Sequence, residues 1–471
     1  MFVVDFFLAI TVIFIERKTP AATLAWVMVI FLVPIGGIVL YFMISQNIAR
    51  QKLYRLTKNE REALESNLSG QIEAVRQDAF NYFSPEESKW KDLIILNQNY
   101  AKSYLTQNNR IEIFVDGNHL LKTLLEDIAG ARESINIQYY IVRNDVTGRK
   151  LIAALTEKAR QGIKVRFLLD ALGCRWQNIA TLKEFTDAGG SYAFFFPPKF
   201  RWLNLKLNYR NHRKIVVIDG NRAFLGGFNI GNEYVDKSRK FGHWRDTHLR
   251  MIGECVTDLN FRFLLDWRLA SRENIPLLEL TQRSPAGDGR TAVQIVNSGP
   301  DSNKEEVKHT YLRMINQAKR NIYIQSPYFV PDQSIFEAIQ NASLSGVDVR
   351  IMIPNKPDHV FVNSASRYYC GLLLFAGVRI FIYENGFLHA KAICVDGEVA
   401  SVGSANFDNR SFRLNFETNA VIYDEDEVFK LEKIFEQDMA ESSELTREKY
   451  VTRSRFAEFK EVTSRLLSDF L

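Results

Sequence analysis

Apolar residues are concentrated in one long run near the amino terminus, and this run predicts a membrane span. Between Lys18 and Arg50, 31 consecutive residues carry no formal charge, and 20 of the 24 residues at positions 21–44 are apolar. A bilayer core of about 30 Å needs about 20 apolar residues in a helix, so the run is long enough to cross it. The apolar segment 2–15 reaches only about 21 Å as a helix, and it predicts either an interfacial helix or one arm of a hairpin. We expect residues 1–49 to form a membrane anchor.

Beyond residue 109, the pattern of apolar strands and amphipathic helices occurs twice. The strand pattern at 135–140 matches that at 322–327, and the strand that begins at Gly162 matches the one that begins at Gly346. Strands that alternate with helices are typical of a layered α/β domain, and two copies of a long period indicate a duplicated domain rather than a solenoid. We therefore expect an α/β fold of two duplicated lobes after a polar, helix-rich tether. The predicted ranges are 50–109 for the tether, 110–280 for the first lobe and 290–471 for the second.

The overall composition adds little to this prediction, whereas the distribution of charge predicts the orientation of the chain in the membrane. The 471 residues are 46% hydrophobic and 24% charged, as in ordinary globular domains, and a net charge of +5 does not mark a dedicated nucleic-acid binder. The four cysteines have no CxxC spacing, which is compatible with a reducing compartment. A basic cluster follows the apolar run and favours the cytoplasmic side of the membrane by the positive-inside rule. Its members are Arg50, Lys52, Arg55, Lys58 and Arg61.

The candidate chemistry lies in a motif that occurs once in each copy of the repeat. Both copies fit the pattern HxKxxxxD, followed after six residues by G[GS]xN. The first copy consists of His212, Lys214, Asp219, Gly226, Gly227 and Asn229, and the second of His389, Lys391, Asp396, Gly403, Ser404 and Asn406. The identical internal spacing leads us to expect that the two halves share one site.

Side-chain alternation along a strand places the histidine and the lysine of each motif on the same face. A lysine, an asparagine and small residues that let the backbone approach suit a phosphate group. Two imidazoles that face each other across a pseudo-twofold interface supply a nucleophile for phosphorus and an acid for the leaving oxygen. Asp219 and Asp396 fall at strand ends in Asp-Gly turns, where we expect them to support the catalytic residues. A lysine beside each histidine repels a cation, so we expect no metal and no cofactor.

With this duplicated motif, the sequence resembles the phospholipase D superfamily over about residues 111–471. The resemblance implies a bilobal α/β fold and a metal-independent, two-step phosphodiester transfer through a phosphohistidine intermediate. It implies that His212 is the nucleophile and His389 the acid and base. It also implies that the motif lysines bind the phosphate together with Asn229 and Asn406.

The superfamily also pairs each motif histidine with a downstream carboxylate that orients the ring. The residues that match this pattern are Asp246 for the first copy and Glu417 for the second. Gly227 departs from the pattern, which often has a serine at this position, as at Ser404. The resemblance therefore implies that a hydroxyl contact to phosphate is missing from the first half.

Within the superfamily, the chain resembles the bacterial cardiolipin synthases in the segments 16–26, 297–301 and 407–417. This resemblance implies transfer of a phosphatidyl group between two phosphatidylglycerol molecules, which gives cardiolipin and glycerol. We expect the reaction at the bacterial cell membrane, with the catalytic domain on the cytoplasmic side. A hydrolytic phospholipase D, a phosphatidylserine synthase, a membrane-tethered nuclease and a non-enzymatic scaffold remain alternatives, and the oligomeric state stays open.

The first copy has ten more residues than the second between its last strand and its motif. The segment 197–214, to which this insertion contributes, is basic and aromatic and has no acidic residue. It predicts an anionic-lipid docking surface, in which each exposed basic residue contributes about 1 kcal/mol near such a membrane, or alternatively a solvated basic loop. The candidate docking residues are Lys199, Arg201, Trp202 and Lys206. We expect an anionic membrane as the partner and no nucleic acid.

Overall fold

The amino-terminal region of the computed structural model contains a short apolar helix. The structure describes residues 20–33, 36, 37, 41, 53, 54, 56–175, 177, 179–197, 208–276, 279, 280, 282–356, 358 and 360–466. Helix α1 (Pro20–Leu32) has 13 residues and lies largely inside the predicted span 21–44. Among the described residues, no helix is both long enough and apolar enough to cross a membrane. The apolar segment 2–15 and the docking candidates Lys199, Arg201, Trp202 and Lys206 lie outside the described residues.

The first half of the chain after the anchor is built from strands and intervening helices. Three helices precede it: α2 (Lys58–Arg76), α3 (Pro85–Lys89) and α4 (Lys91–Tyr100). Its strands are β1 (Leu105–Phe114), β2 (Ser134–Tyr139), β3 (Lys164–Asp170), β4 (Ser191–Phe195), β5 (Arg210–Asn211), β6 (Ile215–Ile218), β7 (Arg222–Gly226), β8 (Trp244–Arg245) and β9 (His248–Gly253). Its helices are α5 (Gly117–Ala129), α6 (Val146–Arg160), α7 (Ile179–Asp187) and α8 (Val256–Ser271), with a 3₁₀ turn at Asn232–Val235.

The second half repeats this arrangement. Its strands are β10 (Thr291–Ser298), β11 (Asn321–Gln325), β12 (Phe329–Val330), β13 (Asp348–Pro354), β14 (Arg379–Tyr383), β15 (Phe387–Leu388), β16 (Ala392–Val395), β17 (Val399–Gly403), β18 (Phe407–Asp408), β19 (Asn415–Tyr423) and β20 (Ser442–Leu445). Its helices are α9 (Glu306–Gln317), α10 (Gln333–Leu344), α11 (Val360–Leu374), α12 (Asn409–Arg413), α13 (Glu425–Ala440), α14 (Arg447–Val451) and α15 (Arg455–Leu466).

One large mixed sheet runs through both halves, and its strand order shows the duplication. The order is β4-β3-β2-β6-β7-β9-β1 in the first half and β14-β13-β11-β16-β17-β19-β10 in the second, with β20 added at the outer edge of β14. Corresponding strands therefore occupy corresponding places. The halves join where β1 and β10 pair antiparallel, with Leu105 opposite Gln294. The predicted α/β fold with two duplicated lobes is confirmed.

The hydrophobic core is continuous across this junction. Leu249 and Met251 of the first half share one buried cluster with Val293, Ile295 and Ala420 of the second. Apolar side chains from both halves are thus removed from water together. This burial is the main favourable contribution to the free energy that holds the two halves together. The two lobes therefore form one rigid base for a site between them.

The segment predicted as a tether packs on the second half. Val75 of α2 and Leu93 of α4 are fully buried in the same cluster as Ile322 of β11. The indole N–H of Trp90 donates a hydrogen bond of 3.2 Å to the Glu398 carboxylate. Because burial of each apolar side chain of this size contributes about 1.5–3 kcal/mol, these helices form part of the domain instead of linking it loosely to the anchor.

Candidate active site

Each motif histidine follows a short strand that pairs with the opposite half of the molecule. Strand β5, just before His212, pairs parallel with β19, and β15, just before His389, pairs parallel with β8. The His212 N–H donates to the carbonyl of Phe416 at 3.0 Å, and the His389 N–H donates to that of Arg245 at 2.7 Å. Both histidines are therefore held by backbone hydrogen bonds at the interface between the halves.

The carboxylate partners of the two histidines are exchanged between the halves. The Nδ1 atom of His212 lies 3.0 Å from both carboxylate oxygens of Glu417, and Nδ1 of His389 lies 2.6 Å from Oδ2 of Asp246. The expectation that each carboxylate orients the upstream histidine of its own half is therefore wrong. The reason is the strand pairing: Glu417 directly follows Phe416, and Asp246 directly follows Arg245, so each carboxylate comes next to the histidine whose backbone pairs there.

The two carboxylates are held differently, and this explains the departure of Gly227 from the motif. The hydroxyl of Ser404 donates to Oε2 of Glu417 at 2.5 Å and accepts the Thr418 N–H at 3.0 Å. At the corresponding Gly227, a Cβ would lie 2.0 Å from Oδ1 of Asp246. The shorter aspartate thus occupies space that a serine would fill. The Ser404 hydroxyl supports a carboxylate, so the first half lacks this support and has a close-packed aspartate in its place.

The motif lysines lie buried beneath the histidines. Lys214 Nζ donates to the His212 carbonyl at 2.7 Å, and Lys391 Nζ makes the equivalent bond to the carbonyl of His389. Burial lowers the pKa of Lys214 to about 7 and that of Lys391 to about 8, while nearby carboxylates, Glu417 for Lys214 and Asp246 for Lys391, oppose this shift. An anion that enters the site favours the ammonium form of both lysines.

Burial favours the neutral form of both motif imidazoles. Burial lowers the pKa of His389 to about 4, with the Lys391 charge acting in the same direction. Burial also lowers the pKa of His212, although the charge of Glu417 opposes it. Burial raises the pKa of Glu417, but the His212 ring and Lys214 outweigh it, and the net pKa lies below its usual value. Neutral rings beside ionised carboxylates are suited to nucleophilic attack and proton transfer.

Asn229 and Asn406, which the motif predicts at the phosphate, are both buried. Asn229 Oδ1 accepts the Ile141 N–H at 3.1 Å. Asn406 Nδ2 donates to Asp408 at 3.1 Å, and its buried Oδ1 has no hydrogen-bond partner among the described residues. Phosphate binding by both side chains stays a prediction.

Comparisons with known proteins agree with this geometry. The family model described as cardiolipin synthase, PLD-like domain, matches residues 124–242 and 311–439, and the model described as phospholipase D-nuclease N-terminal matches residues 3–46. A cardiolipin synthase of Listeria monocytogenes serotype 4a is 46% identical over 99% of this chain and 97% of its own length. One of Staphylococcus aureus is 44% identical over 100% of this chain and 95% of its own length.

The chain belongs to the cardiolipin synthase family of the phospholipase D superfamily. The family and the enzyme class that the sequence predicted, a phosphatidyltransferase, are thereby confirmed. Among solved structures, phosphatidylserine synthase of Haemophilus influenzae Rd KW20 matches with a TM-score of 0.61 and 16% identity, over 81% of this chain and 100% of that one. This likeness shows a shared fold.

In this cardiolipin synthase family member, the motif aspartates lie away from the histidines, in the turns at strand ends where the sequence predicts them. Asp219 has a φ of 51° and precedes Gly220 with a φ of 64°, so the two form a tight turn after β6. Its carboxylate accepts the backbone N–H groups of Arg132, Glu133 and Ser134 at 2.8–3.1 Å. The strand β6 separates this turn from the histidine. The carboxylate therefore anchors the strand end.

The second motif has the same arrangement. Asp396 has a φ of 57°, and its carboxylate accepts the N–H groups of Lys319, Arg320 and Asn321 at 2.6–3.0 Å. In both halves, the aspartate carboxylate links the turn after one strand, β6 or β16, to the backbone that leads into the neighbouring strand, β2 or β11. Its contribution to the site is positional.

Buried arginines behind the histidines were not foreseen as part of the site. Arg213 donates to Asp266 at 2.7 Å and to the Glu417 carbonyl at 3.1 Å. Arg245 donates to Asp438 at 2.9 Å and to the carbonyl of Asp246. Each arginine thus fixes the backbone of one orienting carboxylate. The signal for these pairs was present in the repeated glutamines Gln138 and Gln325, which donate to the same aspartates at 3.0 and 2.7 Å.

The prediction of an exposed basic surface at 197–214 is wrong at the carboxyl end of this segment. Arg210 and Arg213, which counted towards an exposed docking surface, are buried, with exposures of 2% and 1%. The interface between the halves encloses them because they flank His212. Aromatic rings that the sequence analysis did not assign contact the histidines: Tyr140 lies 4.9 Å from the ring of His212, and Trp244 lies 5.1 Å from that of His389.

Proposed function

We propose that the chain transfers a phosphatidyl group from one phosphatidylglycerol molecule to the terminal hydroxyl of a second, giving cardiolipin and glycerol. The observation that carries this proposal is the pair of buried, neutral imidazoles, each oriented by a carboxylate from the other half. Such a pair suits a symmetric exchange of one alcohol for another at phosphorus, because each step needs one nucleophile and one proton carrier.

The first step forms a covalent intermediate. Nε2 of His212 attacks phosphorus as the P–O bond to glycerol breaks, and protonated His389 gives its proton to the leaving oxygen. The negative phosphodiester favours the imidazolium form of His389 before this transfer. Glu417 stabilises the positive charge that develops on the His212 ring. The product of the step is a phosphatidyl group on His212 and free glycerol.

The second step reverses these roles. The terminal hydroxyl of the second phosphatidylglycerol gives its proton to His389 and attacks phosphorus, and the P–N bond to His212 breaks. Lys214 and Lys391 neutralise the charge on the phosphoryl oxygens in both transition states, which removes the need for a metal ion. Asn229 and Asn406 complete the phosphate contacts in this proposal.

We place the reaction at the cytoplasmic face of the bacterial cell membrane, with residues 21–44 as the anchor. The length of the uncharged run and the basic residues at 50–61 support this placement. The family model matched at residues 3–46 shows that this segment belongs with the amino-terminal regions of related proteins.

Product analysis with pure phosphatidylglycerol tests the proposal. Cardiolipin with an equal amount of glycerol is the expected result. Phosphatidic acid with glycerol would instead indicate a hydrolase, in which water replaces the second lipid. His212→Ala and His389→Ala should each abolish transfer, and a Lys433→Glu variant, altered on the exposed face of helix α13, should leave it unchanged. Cardiolipin formation that survives both histidine changes would contradict the proposed site.

A further inference from the structure

The carboxyl-terminal helix α15 buries polar residues and exposes apolar ones. Glu461 and Ser464 are 6% and 1% exposed, whereas Phe456 and Phe459 are 77% and 68% exposed. Leu466 is 73% exposed. At about 100° per residue, the exposed apolar residues fall within an arc of about 120°. This is the reverse of the pattern expected for a helix on a water-facing surface.

Further apolar side chains are exposed on the two helices that precede and support α15. Helix α11 packs against both α14 and α15. Phe361 and Leu372 lie on α11, Phe375 directly after it and Val451 at the end of α14, and α15 itself adds Val462. Together with those of α15 they form what we call the carboxyl-terminal apolar face. A concentration of exposed apolar side chains of this kind marks an interaction surface.

A basic cavity lies next to this face. It has a volume of about 320 Å³ and is lined by α11, α14 and α15. Four of its lining side chains are basic and one is acidic: Arg367, Lys449, Arg453, Lys460 and Glu461. Glu461 is already paired, since it accepts a hydrogen bond from Arg453 at 2.9 Å. The cavity therefore has an excess of positive charge.

Helix α11 runs from the neighbourhood of Lys391 to the cavity. Asp358, which accepts a hydrogen bond from Tyr328, acts through its charge on the ammonium of Lys391. Helix α11 begins two residues later at Val360, and Arg367 lies about 10 Å further along its axis at 1.5 Å per residue. A membrane bound at the cavity would therefore lie near the catalytic lysine.

We propose that the carboxyl-terminal apolar face inserts into the surface of an anionic bilayer and that the basic cavity binds the headgroup phosphate of an anionic phospholipid. Aromatic and aliphatic side chains on one face of a helix, with lysine and arginine at its edges, are the pattern of interfacial membrane helices. Lys460 and Arg465 flank the apolar arc of α15. The positive charge of the cavity attracts an anionic lipid, whereas it would repel the same basic surface on a second copy of the chain.

This docking surface is separate from the amino-terminal anchor and from the segment 197–214. An anchor alone leaves the catalytic domain free to tilt, whereas a second contact fixes the orientation of the site and raises the effective concentration of lipid there. The inference is therefore about orientation at the membrane, and it holds for any bilayer lipid that the site transfers.

Depth-dependent fluorescence quenching of the full chain in vesicles tests the docking. The chain's own cysteines are all buried, and burial raises the pKa of each thiol, so an introduced exposed cysteine reacts selectively. An environment-sensitive dye is attached to Phe459→Cys, and to Phe83→Cys as the matched control. Phe83 is 49% exposed, in the loop between α2 and α3, where its backbone N–H donates to Glu87.

In vesicles of phosphatidylcholine and phosphatidylserine, we expect a nitroxide-labelled lipid to quench the dye at position 459 at least severalfold more than the dye at position 83. Phosphatidylserine supplies negative charge without being the proposed substrate. Iodide in the aqueous phase should quench the dye at position 83 more strongly. Equal quenching at the two positions by both agents would overturn the proposal.

The headgroup cavity is tested with Lys449→Glu and Lys460→Glu, both in the Phe459→Cys background. Each change should shift the equilibrium between docked and undocked states at least about fivefold towards the undocked state, because loss of one basic residue near such a surface alone accounts for this much and the new carboxylate is repelled as well. Lys433→Glu on α13 is the control, and vesicles without phosphatidylserine should abolish the difference. A response that is equal for all three changes would overturn the headgroup site.

Two results together would show that the face is an interface between copies of the chain: a dye at position 459 that is already shielded in detergent, and a protein molecular mass of two chains. This outcome would overturn membrane docking. Quenching requires no turnover, and it is measured equally well in His212→Ala. Failure of the docking proposal is thus distinguishable from failure of the proposed transfer reaction.

Discussion

Glu417 lies 3.0 Å from Nδ1 of His212, although the two residues are 205 positions apart and belong to different halves. Asp246 has the same relationship to His389 at 2.6 Å. Each half therefore supplies a histidine to the site and the carboxylate that orients the other histidine. Neither half is a complete catalytic unit, because an imidazole without its carboxylate loses both its fixed tautomer and the stabilisation of its charged form.

This exchange predicts which carboxylate affects which chemical step. Glu417→Gln should impair formation of the covalent intermediate on His212, whereas Asp246→Asn should impair proton transfer by His389. A phosphatidyl ester of p-nitrophenol separates the two, because p-nitrophenol leaves without an acid. We expect Asp246→Asn and His389→Ala to release about one p-nitrophenolate per site in a burst. Glu417→Gln should slow this burst by about 10²- to 10⁴-fold.

The opposite assignment gives an opposite result. If His389 is the nucleophile, then Asp246→Asn loses the burst and Glu417→Gln retains it. A burst lost equally in both variants would contradict the separation of roles. Asp219→Asn serves as the control, since its carboxylate contacts backbone N–H groups outside the site.

Gly227 should be intolerant of any side chain. A Cβ at this position would lie 2.0 Å from Oδ1 of Asp246, so Gly227→Ala must displace the carboxylate that orients His389. We expect transfer to fall at least tenfold and the free energy of unfolding to fall by about 1–3 kcal/mol. Gly70→Ala is the control, because a Cβ there meets nothing within 4 Å. Unchanged activity in Gly227→Ala would show that the position of Asp246 is not critical.

The pH dependence of kcat/KM should reflect the buried lysines and histidines of the free enzyme. The pKa of Lys214 is lowered to about 7 and that of Lys391 to about 8 by burial, so both lose their charge as the pH rises through this range. Activity should therefore fall above about pH 7–8, because phosphate binding needs the ammonium forms. Burial lowers the pKa of His212, which must be neutral to attack phosphorus, so the acidic limb should lie below the usual histidine value. Constant kcat/KM up to pH 10 would contradict the lysine shifts.

The motif aspartates should matter for stability more than for chemistry. Asp219→Asn retains the size and the positive-φ tolerance that the turn requires, but it removes the charge that accepts three N–H groups. We expect a loss of about 2 kcal/mol in the free energy of unfolding, measured by denaturant titration, with activity per folded molecule within about twofold of the unchanged chain. A large loss of kcat without a loss of stability would place Asp219 in the catalytic machinery after all.

The sequence was sufficient to identify the duplicated α/β fold and the central site residues. The spacing between His212 and Lys214, repeated at His389 and Lys391, is a local property of the chain, and two identical spacings imply equivalent places in two equivalent lobes. The prediction that each pair shares one strand is wrong, because residues 212–214 and 389–391 lie between strands, where each lysine donates to the carbonyl of its histidine. The family followed from the same residues.

Tertiary structure alone decided which groups meet across the halves. The pairing of β5 with β19 and of β15 with β8 exchanges the two carboxylates, and it encloses Arg213 in the interface, where the sequence had suggested an exposed basic surface. The same holds for Asp219, whose partners come from a segment more than 80 positions earlier. Such contacts depend on how two surfaces pack against each other, and that packing is set by the summed burial of many apolar side chains, which no short motif encodes.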